Sequence, residues 1–212
     1  EPMRVHVSEH PLVAHQLHIL RDERTSSATF RQVVSELTRL IAIEATADLP
    51  LETRAITTPV ATMDAQTLAH PRPIAVPILR AGLGMLDAFL ELVTVADAGF
   101  LGLKRNEQTL EPEVYAKRFP TESTGRHMFL LDPMLATGGS LTAAIDLCVE
   151  AGASEITCLC LVASPHGVEV VRNHKASVPT SLYLAVIDEG LNSDGYIVPG
   201  LGDAGDRLFG VA

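Results

Sequence analysis

No apolar run in this sequence approaches the roughly 20 residues needed to span a bilayer. The amino terminus lacks the charged, apolar and small-residue order of a signal peptide, so a cytoplasmic protein is expected. Met3 is the first methionine, which leaves open whether Glu1 and Pro2 are an added remnant. Positive charge is scarce: 16 Lys and Arg against 26 Asp and Glu give a net charge of −10. That balance argues against a general nucleic-acid binder, which would carry a basic face. It also obliges any anionic substrate to find a local positive pocket. Cysteine is sparse, with Cys148, Cys158 and Cys160 alone. An odd count, with two of them alternating along an apolar stretch, reads as reduced core thiols. A Cys-x-Cys without a nearby His or Cys cluster makes a poor zinc site, and the eight histidines form no His-Glu-x-x-His pattern. No long linker or internal repeat appears, so residues 1–212 are read as one domain.

What is present concentrates between His127 and Cys148. An apolar run ends at Asp132, a loop of small residues follows, and an amphipathic helix begins at Ser140. The first turn of a helix carries unsatisfied N–H groups and partial positive charge, so it attracts an anion. Gly138 and Gly139 remove Cβ atoms that would hold a ligand off the backbone, and Thr137 and Ser140 add hydroxyl donors. Asp132, at the strand end, can face a ligand's hydroxyls or a metal ion. No Lys follows Gly139, which excludes the Gly-x4-Gly-Lys-Ser/Thr loop, and the Gly-x-Gly-x-x-Gly of dinucleotide folds is missing here too. The alternative is an ordinary strand-to-helix turn with a Ser N-cap.

Along the chain, residues 11–21 and 30–47 read as helices, and Arg54 to Val60 and Pro73 to Leu79 as strands. Gly84 to Val95 follows as a helix and Ala98 to Leu103 as a strand. Residues 106–120, with Pro112, Pro120 and many charges, suggest an exposed hairpin or flap. Met128 to Leu131, the helix Ser140 to Ala151 and the strand Ile156 to Ala163 come next. Pro165 opens a short helix through Asn173, Ser181 to Ile187 is the last strand, and a Gly- and Pro-rich loop region follows Asp188. Strands alternating with helices imply an α/β fold, with a mostly parallel sheet covered on both faces. Ligands in such sheets sit at the carboxyl ends of strands, where Arg80, Arg105, Asp132 and Asp188 all fall.

The segment Asp132-Pro-Met-Leu-Ala-Thr-Gly-Gly-Ser140 resembles the 5-phosphoribosyl-1-diphosphate (PRPP) loop of type I phosphoribosyltransferases, in their uracil phosphoribosyltransferase branch. Those enzymes usually carry two adjacent acids at this strand end, whereas Asp132 is followed by Pro133. Three more segments match that branch in order and spacing. They are Pro77-Ile-Leu-Arg-Ala-Gly-Leu-Gly-Met85, Gly102-Leu-Lys-Arg105 leading to Tyr115, and Asp188-Glu-Gly-Leu-Asn192 with Gly195-Tyr-Ile-Val-Pro-Gly-Leu-Gly-Asp-Ala-Gly-Asp-Arg207.

The resemblance implies the type I phosphoribosyltransferase fold, with a protruding hairpin and a C-terminal base-binding loop region. It implies pyrimidine salvage: uracil and PRPP give uridine monophosphate and diphosphate. Arg80, Arg105 and Asp203 take catalytic positions. PRPP contacts fall to Arg80, Arg105, Asp132, Pro133, Met134, Leu135, Ala136, Thr137, Gly138, Gly139, Ser140 and Asp203. Uracil falls to Tyr196, Ile197, Gly202, Asp203 and Ala204, and Lys104 is left unassigned. Tyr196 is read either as covering the base or as a structural tyrosine, and Asp194, Asp206 and Arg207 as loop salt bridges. The base's O4–N3–O2 edge alternates acceptor, donor and acceptor, which main-chain groups can match. Magnesium should accompany PRPP, held mainly through substrate and water with no dedicated protein ligands. The family also implies a homodimer or larger homo-oligomer, and some members respond to GTP. No nucleic-acid or membrane partner is expected. The alternatives are a regulator on the same fold that binds pyrimidine nucleotides and RNA, and an enzyme for another base.

Overall fold

The structure, a computed structural model, describes residues 3–106, 109 and 111–211. Glu1 and Pro2 lie outside those residues, as do Glu107, Gln108 and Leu110 of the expected flap. A short strand, Arg4–Val7 (β1), precedes the helices Pro11–Arg21 (α1) and Ser27–Ala45 (α2). Leu51–Thr57 (β2) and Thr62–Leu68 (β3) pair antiparallel as a hairpin of their own. Ile74–Leu79 (β4), Leu83–Leu92 (α3), Asp97–Ala98 (β5), Phe100–Arg105 (β6) and Pro112–Arg118 (β7) follow. Then come His127–Leu131 (β8), Met134–Leu135 (β9), Gly139–Glu150 (α4), Glu155–Ala163 (β10), Pro165–Asn173 (α5) and Thr180–Ile187 (β11). Gly190–Leu191 (β12), Ile197–Val198 (β13) and Ala204–Phe209 (α6) make up the tail.

The main sheet runs β1-β11-β10-β8-β4-β6-β7. The neighbours from β1 to β6 are parallel, and β7 returns antiparallel along β6. Successive strand side chains point to opposite faces, and here both faces are apolar. Phe129, Leu131, Leu159 and Leu161 pack toward α1, α2, α3 and α6, whereas Met128, Leu130, Cys158 and Cys160 pack toward α4 and α5. The core therefore sits in two layers, one on each side of the sheet. All three cysteines are buried without disulfides, and burial pushes the Cys148 thiol up to about 12. They are protonated core residues.

The differences from the sequence expectations have local causes. Helix α2 starts at Ser27 because the Ser26 hydroxyl accepts from Thr29 N–H at 3.2 Å and caps it. The strand expected over Arg54 to Val60 ends at Thr57, since Thr58 N–H donates to Ala61 O and closes a turn around Pro59. That strand pairs with β3, outside the main sheet. β6 runs two residues beyond Leu103, because pairing with β7 extends it, so Arg105 ends the strand instead of following it. β1, β3 and the short elements of the tail carry no strong apolar period, and the sequence pattern misses them.

Candidate active site

At the carboxyl ends of β4 and β6 lies a cleft of about 460 Å3, lined by Arg80, Lys104, Tyr115, Met134, Asp203 and Ala204 among others. A larger hollow of about 970 Å3 opens at the opposite ends of the strands, around His127, Thr157 and Ser181. It holds charges of both signs and none of the candidate residues. The smaller cleft is the candidate site, because ligands of parallel sheets bind past the strands' carboxyl ends.

Arg80 follows β4 directly, after a cis Leu79–Arg80 peptide, and its side chain is exposed. The glycines beside it serve packing. A Cβ on Gly82 would lie 2.4 Å from Leu131 O and 2.6 Å from both Ile78 N and Ile78 O. The loop therefore folds back onto two strands through bare backbone. A Cβ on Gly84 would meet Leu208 side-chain carbons of α6 at 2.8 and 3.0 Å.

The loop from Asp132 to Ser140 is held from behind. Pro133 O accepts from Leu161 N–H and Val162 N–H, and Leu135 O accepts from Ser164 N–H. The buried Ser164 hydroxyl, which caps α5, donates to Ala136 O at 2.5 Å. Pro133 and Leu135 are buried, and their carbonyls are already bonded from behind, so neither offers a side chain to a ligand. Helix α4 begins at Gly139, one residue earlier than expected, with Gly138 at the cap position in a left-handed conformation and no capping side chain. Ser140 is thus inside the first turn and is not the N-cap. A Cβ on Gly138 would meet Val170 of α5 at 2.8 Å, so this glycine is required by fold and φ. Gly139 is the open one: its nearest neighbour would be Pro112 Cγ at 3.6 Å. Thr137 and Ser140 are exposed beside the helix start.

Asp132 is half-buried, and Met134 N–H approaches Oδ1 at 3.4 Å. Burial pushes its carboxyl up to about 7, against the smaller opposing effect of that N–H. Arg105 does not line the cleft. It is paired with Pro112 across the β6–β7 ribbon, which places its strand end beside Gly139 and the phosphate-sized loop. Lys104 occupies the cleft instead, 3.5 Å from Glu113. Tyr115 reaches it by crossing Gly102, where a Cβ would lie 2.5 Å from the ring.

The tail supplies the far wall. Asp203 and Ala204 line the cleft, and Gly202 is exposed with φ near +83. Asp203 caps α6 by accepting from Asp206 N–H at 2.8 Å, so one carboxylate oxygen is committed to the helix. Ile197 is buried in the α1–α2–α3 layer and Tyr196 is exposed on the β12–β13 turn. Neither side chain lines the cleft; Ile197 could meet a base only through its main chain. Among the described residues Arg207 makes no salt bridge: it donates to Leu20 O, Leu201 O and Asp22 O and stacks over Phe30. Asp188, at the end of β11, is gripped by Arg21 through two bonds of 2.7 and 2.6 Å. Burial alone would raise its carboxyl, but the bonds from Arg21 and the Gly200 N–H hold it below the usual range. Lys104 is left unassigned by the sequence, and Tyr115, Ser164 and Arg21 are not singled out by it, since their places depend on register and helix packing.

Comparison with known proteins agrees with this geometry. A family model described as uracil phosphoribosyltransferase matches residues 7–211. A uracil phosphoribosyltransferase of Streptomyces griseus is 54% identical over 210 residues, covering 99% of this chain and 100% of that one. One from Beutenbergia cavernae is also 54% identical, with the same coverage. A protein of known structure from Aquifex aeolicus superimposes with a TM-score of 0.92 at 36% identity, covering 98% of this chain and 99% of its own. A hypoxanthine-guanine phosphoribosyltransferase of Bacillus anthracis shares the fold, with a TM-score of 0.52 at 10% identity over 76% of this chain and 80% of that one.

Gly82→Ala should cost roughly 1–3 kcal/mol of stability, because backbone atoms cannot step aside for the new methyl group. Gly84→Ala should cost less, since Leu208 can turn away. Thermal melts of both variants check this, and equal losses would refute the backbone argument. Asp132 gives a pH test. Its folded value of about 7 exceeds the unfolded value near 4, so its contribution is complete below about pH 4 and is lost as pH rises to about 7. Urea midpoints of the wild type should therefore fall relative to Asp132→Asn across that window. A constant difference would mean the carboxyl titrates like an exposed one.

Proposed function

The chain belongs to the uracil phosphoribosyltransferase family, and from that premise we propose how its cleft turns uracil and PRPP into uridine monophosphate and diphosphate. The observation that carries the assignment of parts is convergence. Arg80, Lys104, Met134 of the phosphate loop, and Asp203 with Ala204 come from separate segments and meet at one cleft. The 5′-phosphate belongs on the amides that open α4 and on the hydroxyls of Thr137 and Ser140, with Arg105 at the neighbouring strand end. Asp132 receives the ribose hydroxyls, which favour its ionised form. Uracil lies against the main chain of Gly202, Asp203 and Ala204.

In the reaction the bond from the anomeric carbon to diphosphate breaks and a bond to uracil N1 forms. Negative charge grows on the departing diphosphate, and N1 loses its proton. Arg80 answers the first requirement, as a fixed cation where charge develops. Lys104 adds a second, more mobile charge from β6. The carboxylate oxygen of Asp203 not committed to α6 accepts the N1 proton.

Magnesium fits as a companion of diphosphate. Among the described residues no group of three His, Cys, Asp or Glu could hold an ion. The carboxylates of Asp132 and Asp203 suit an ion already carried by phosphate oxygens and water, and when bound it would offset diphosphate charge. Homo-oligomerisation, a response to GTP and a cytoplasmic location belong to the same proposal as traits of the family. No described helix is long and apolar enough to cross a membrane. Light scattering, and assays with and without GTP, test the first two.

Arg80→Ala should lower kcat on the order of 100- to 1,000-fold while changing uracil binding little. Retention of more than about half the turnover would make Arg80 an ordinary surface charge. Base choice tests the tail. Cytosine exchanges acceptor for donor at position 4 and donor for acceptor at N3, leaving main-chain groups facing like partners. Each such mismatch costs roughly 1–3 kcal/mol. The kcat/KM ratio of uracil to cytosine at saturating PRPP should therefore exceed about 10,000, and a ratio under about 100 would falsify main-chain readout.

A further inference from the structure

Arg21 and Asp188 sit outside the cleft, yet together they hold both main-chain groups of Gly200. The Arg21 fork places Nη1 2.7 Å from Asp188 Oδ2 and Nη2 2.6 Å from Oδ1. Nη1 also donates to Gly200 O at 3.0 Å, and Gly200 N–H donates to Asp188 Oδ2 at 2.8 Å. The Asp188 side chain is 3% exposed, so these charge-assisted bonds are shielded from water. Gly200 has φ near +56, and a Cβ there would lie 2.1 Å from Ile197 O. The turn admits no looser packing at this point.

Two residues later the chain reaches Gly202, where a Cβ would enter open space: apart from its chain neighbours, no atom of the described residues lies within 4 Å of that position. From there to Ala204 the main chain's position is set at its ends. At the far end Asp203 caps α6. At the near end Arg207 donates to Leu201 O at 3.1 Å, and one residue earlier the Arg21–Asp188 grip takes both main-chain groups of Gly200. It ties the tail to the end of α1 and the end of β11, neither of which contributes a cleft residue.

We propose that Arg21 and Asp188 are positioning residues for base recognition: their shared hold on Gly200 sets the main-chain geometry that distinguishes uracil from cytosine. The inference rests on the assignment of Gly202 to Ala204 as the base wall. A main-chain reader has no rotamers to adjust, so its selectivity is only as good as its anchorage. Displacement of the loop by about 1 Å is enough to cost on the order of 100-fold. The PRPP loop is pinned separately, through Ser164, Leu161 and Val162, and should not respond.

The experiment compares Arg21→Lys, Asp188→Asn and Gly202→Val with wild type, each at a temperature where melts show it folded. Arg21→Lys retains the charge but loses the two-pronged fork, and Asp188→Asn retains the shape but loses the charge. Both should raise the uracil KM roughly 10- to 100-fold and shrink the uracil-to-cytosine ratio by a similar factor. The KM for PRPP and the PRPP dependence of thermal stabilisation should change several-fold less, because Asp203, the tail's contact to PRPP, is held by its own cap on α6. Gly202→Val tests the wall itself. If it raises the uracil KM while both anchor variants leave KM and the base ratio unchanged, the anchoring role is wrong and the wall stands. If Gly202→Val leaves uracil binding intact, the base wall is misplaced and the inference falls with it. A parallel rise in both KM values in the anchor variants would mark general disorder and also overturn the proposal.

Discussion

A parallel sheet buried on both faces imposes the constraint from which the rest of this molecule follows. In β4, β8 and β10 most side chains enter one apolar layer or the other, and the ladders occupy the backbone groups. Polar chemistry is thereby pushed to the strand ends, where the chain must turn. Arg80 follows β4, Asp132 follows β8 and Asp188 follows β11, and each is the first residue past its strand. The site is built from turns because no other part of such a sheet is free to face a ligand.

Turns are the least constrained parts of a fold, and here each is fixed from its rear. The turn after β4 lies against backbone of β4 and β8 at Gly82, and the turn after β8 hangs on Ser164 and the amides of β10. The tail is held by arginine forks: Arg21 on Asp188 and Gly200, Arg207 on the carbonyls that end α1, and Arg31 on Leu208 O. With only 16 basic residues against 26 acidic ones, committing arginines to backbone carbonyls is a considerable share of the positive charge. The phosphate site can do without them, because a helix start supplies amides and partial charge without any cationic side chain.

The sequence made the turns legible and their supports illegible. Asp132 to Ser140 announces itself, because an apolar run, small residues and a helical period follow one another along the chain. The central strands are equally plain, since burial on both faces leaves unbroken apolar runs such as Ile74–Leu79. β1 and β3 are invisible by the same logic: β1 is a four-residue edge strand, and β3 alternates too little while lying mostly exposed. Gly138 reads in the sequence as room for a ligand, although the space it leaves is filled by Val170. A missing side chain states that something approaches closely, without saying what. Lys104 and Arg105 show a finer limit. Adjacent strand residues point to opposite sides, so a shift of one residue in β6 decides which cation enters the cleft.

The two substrates thus meet surfaces of different character. PRPP is multiply charged, and its recognition tolerates some movement, because charge and flexible cations act over several ångströms. Uracil is flat and neutral, and it must be told from a base of nearly the same outline by the direction of its hydrogen bonds. Such discrimination requires donors and acceptors that cannot turn to suit the wrong base, and only main chain held at both ends meets that condition. A side-chain amide in the same place could rotate and accept either base. The cost of rigidity is that anchorage must come from elsewhere, and the end of the first helix lies against the tail. Residues nearly 180 positions apart, Arg21 and Gly200, are bonded for that reason. In this fold, choice of base is a property of how the first helix and the tail are joined, as much as of the residues that touch the ring.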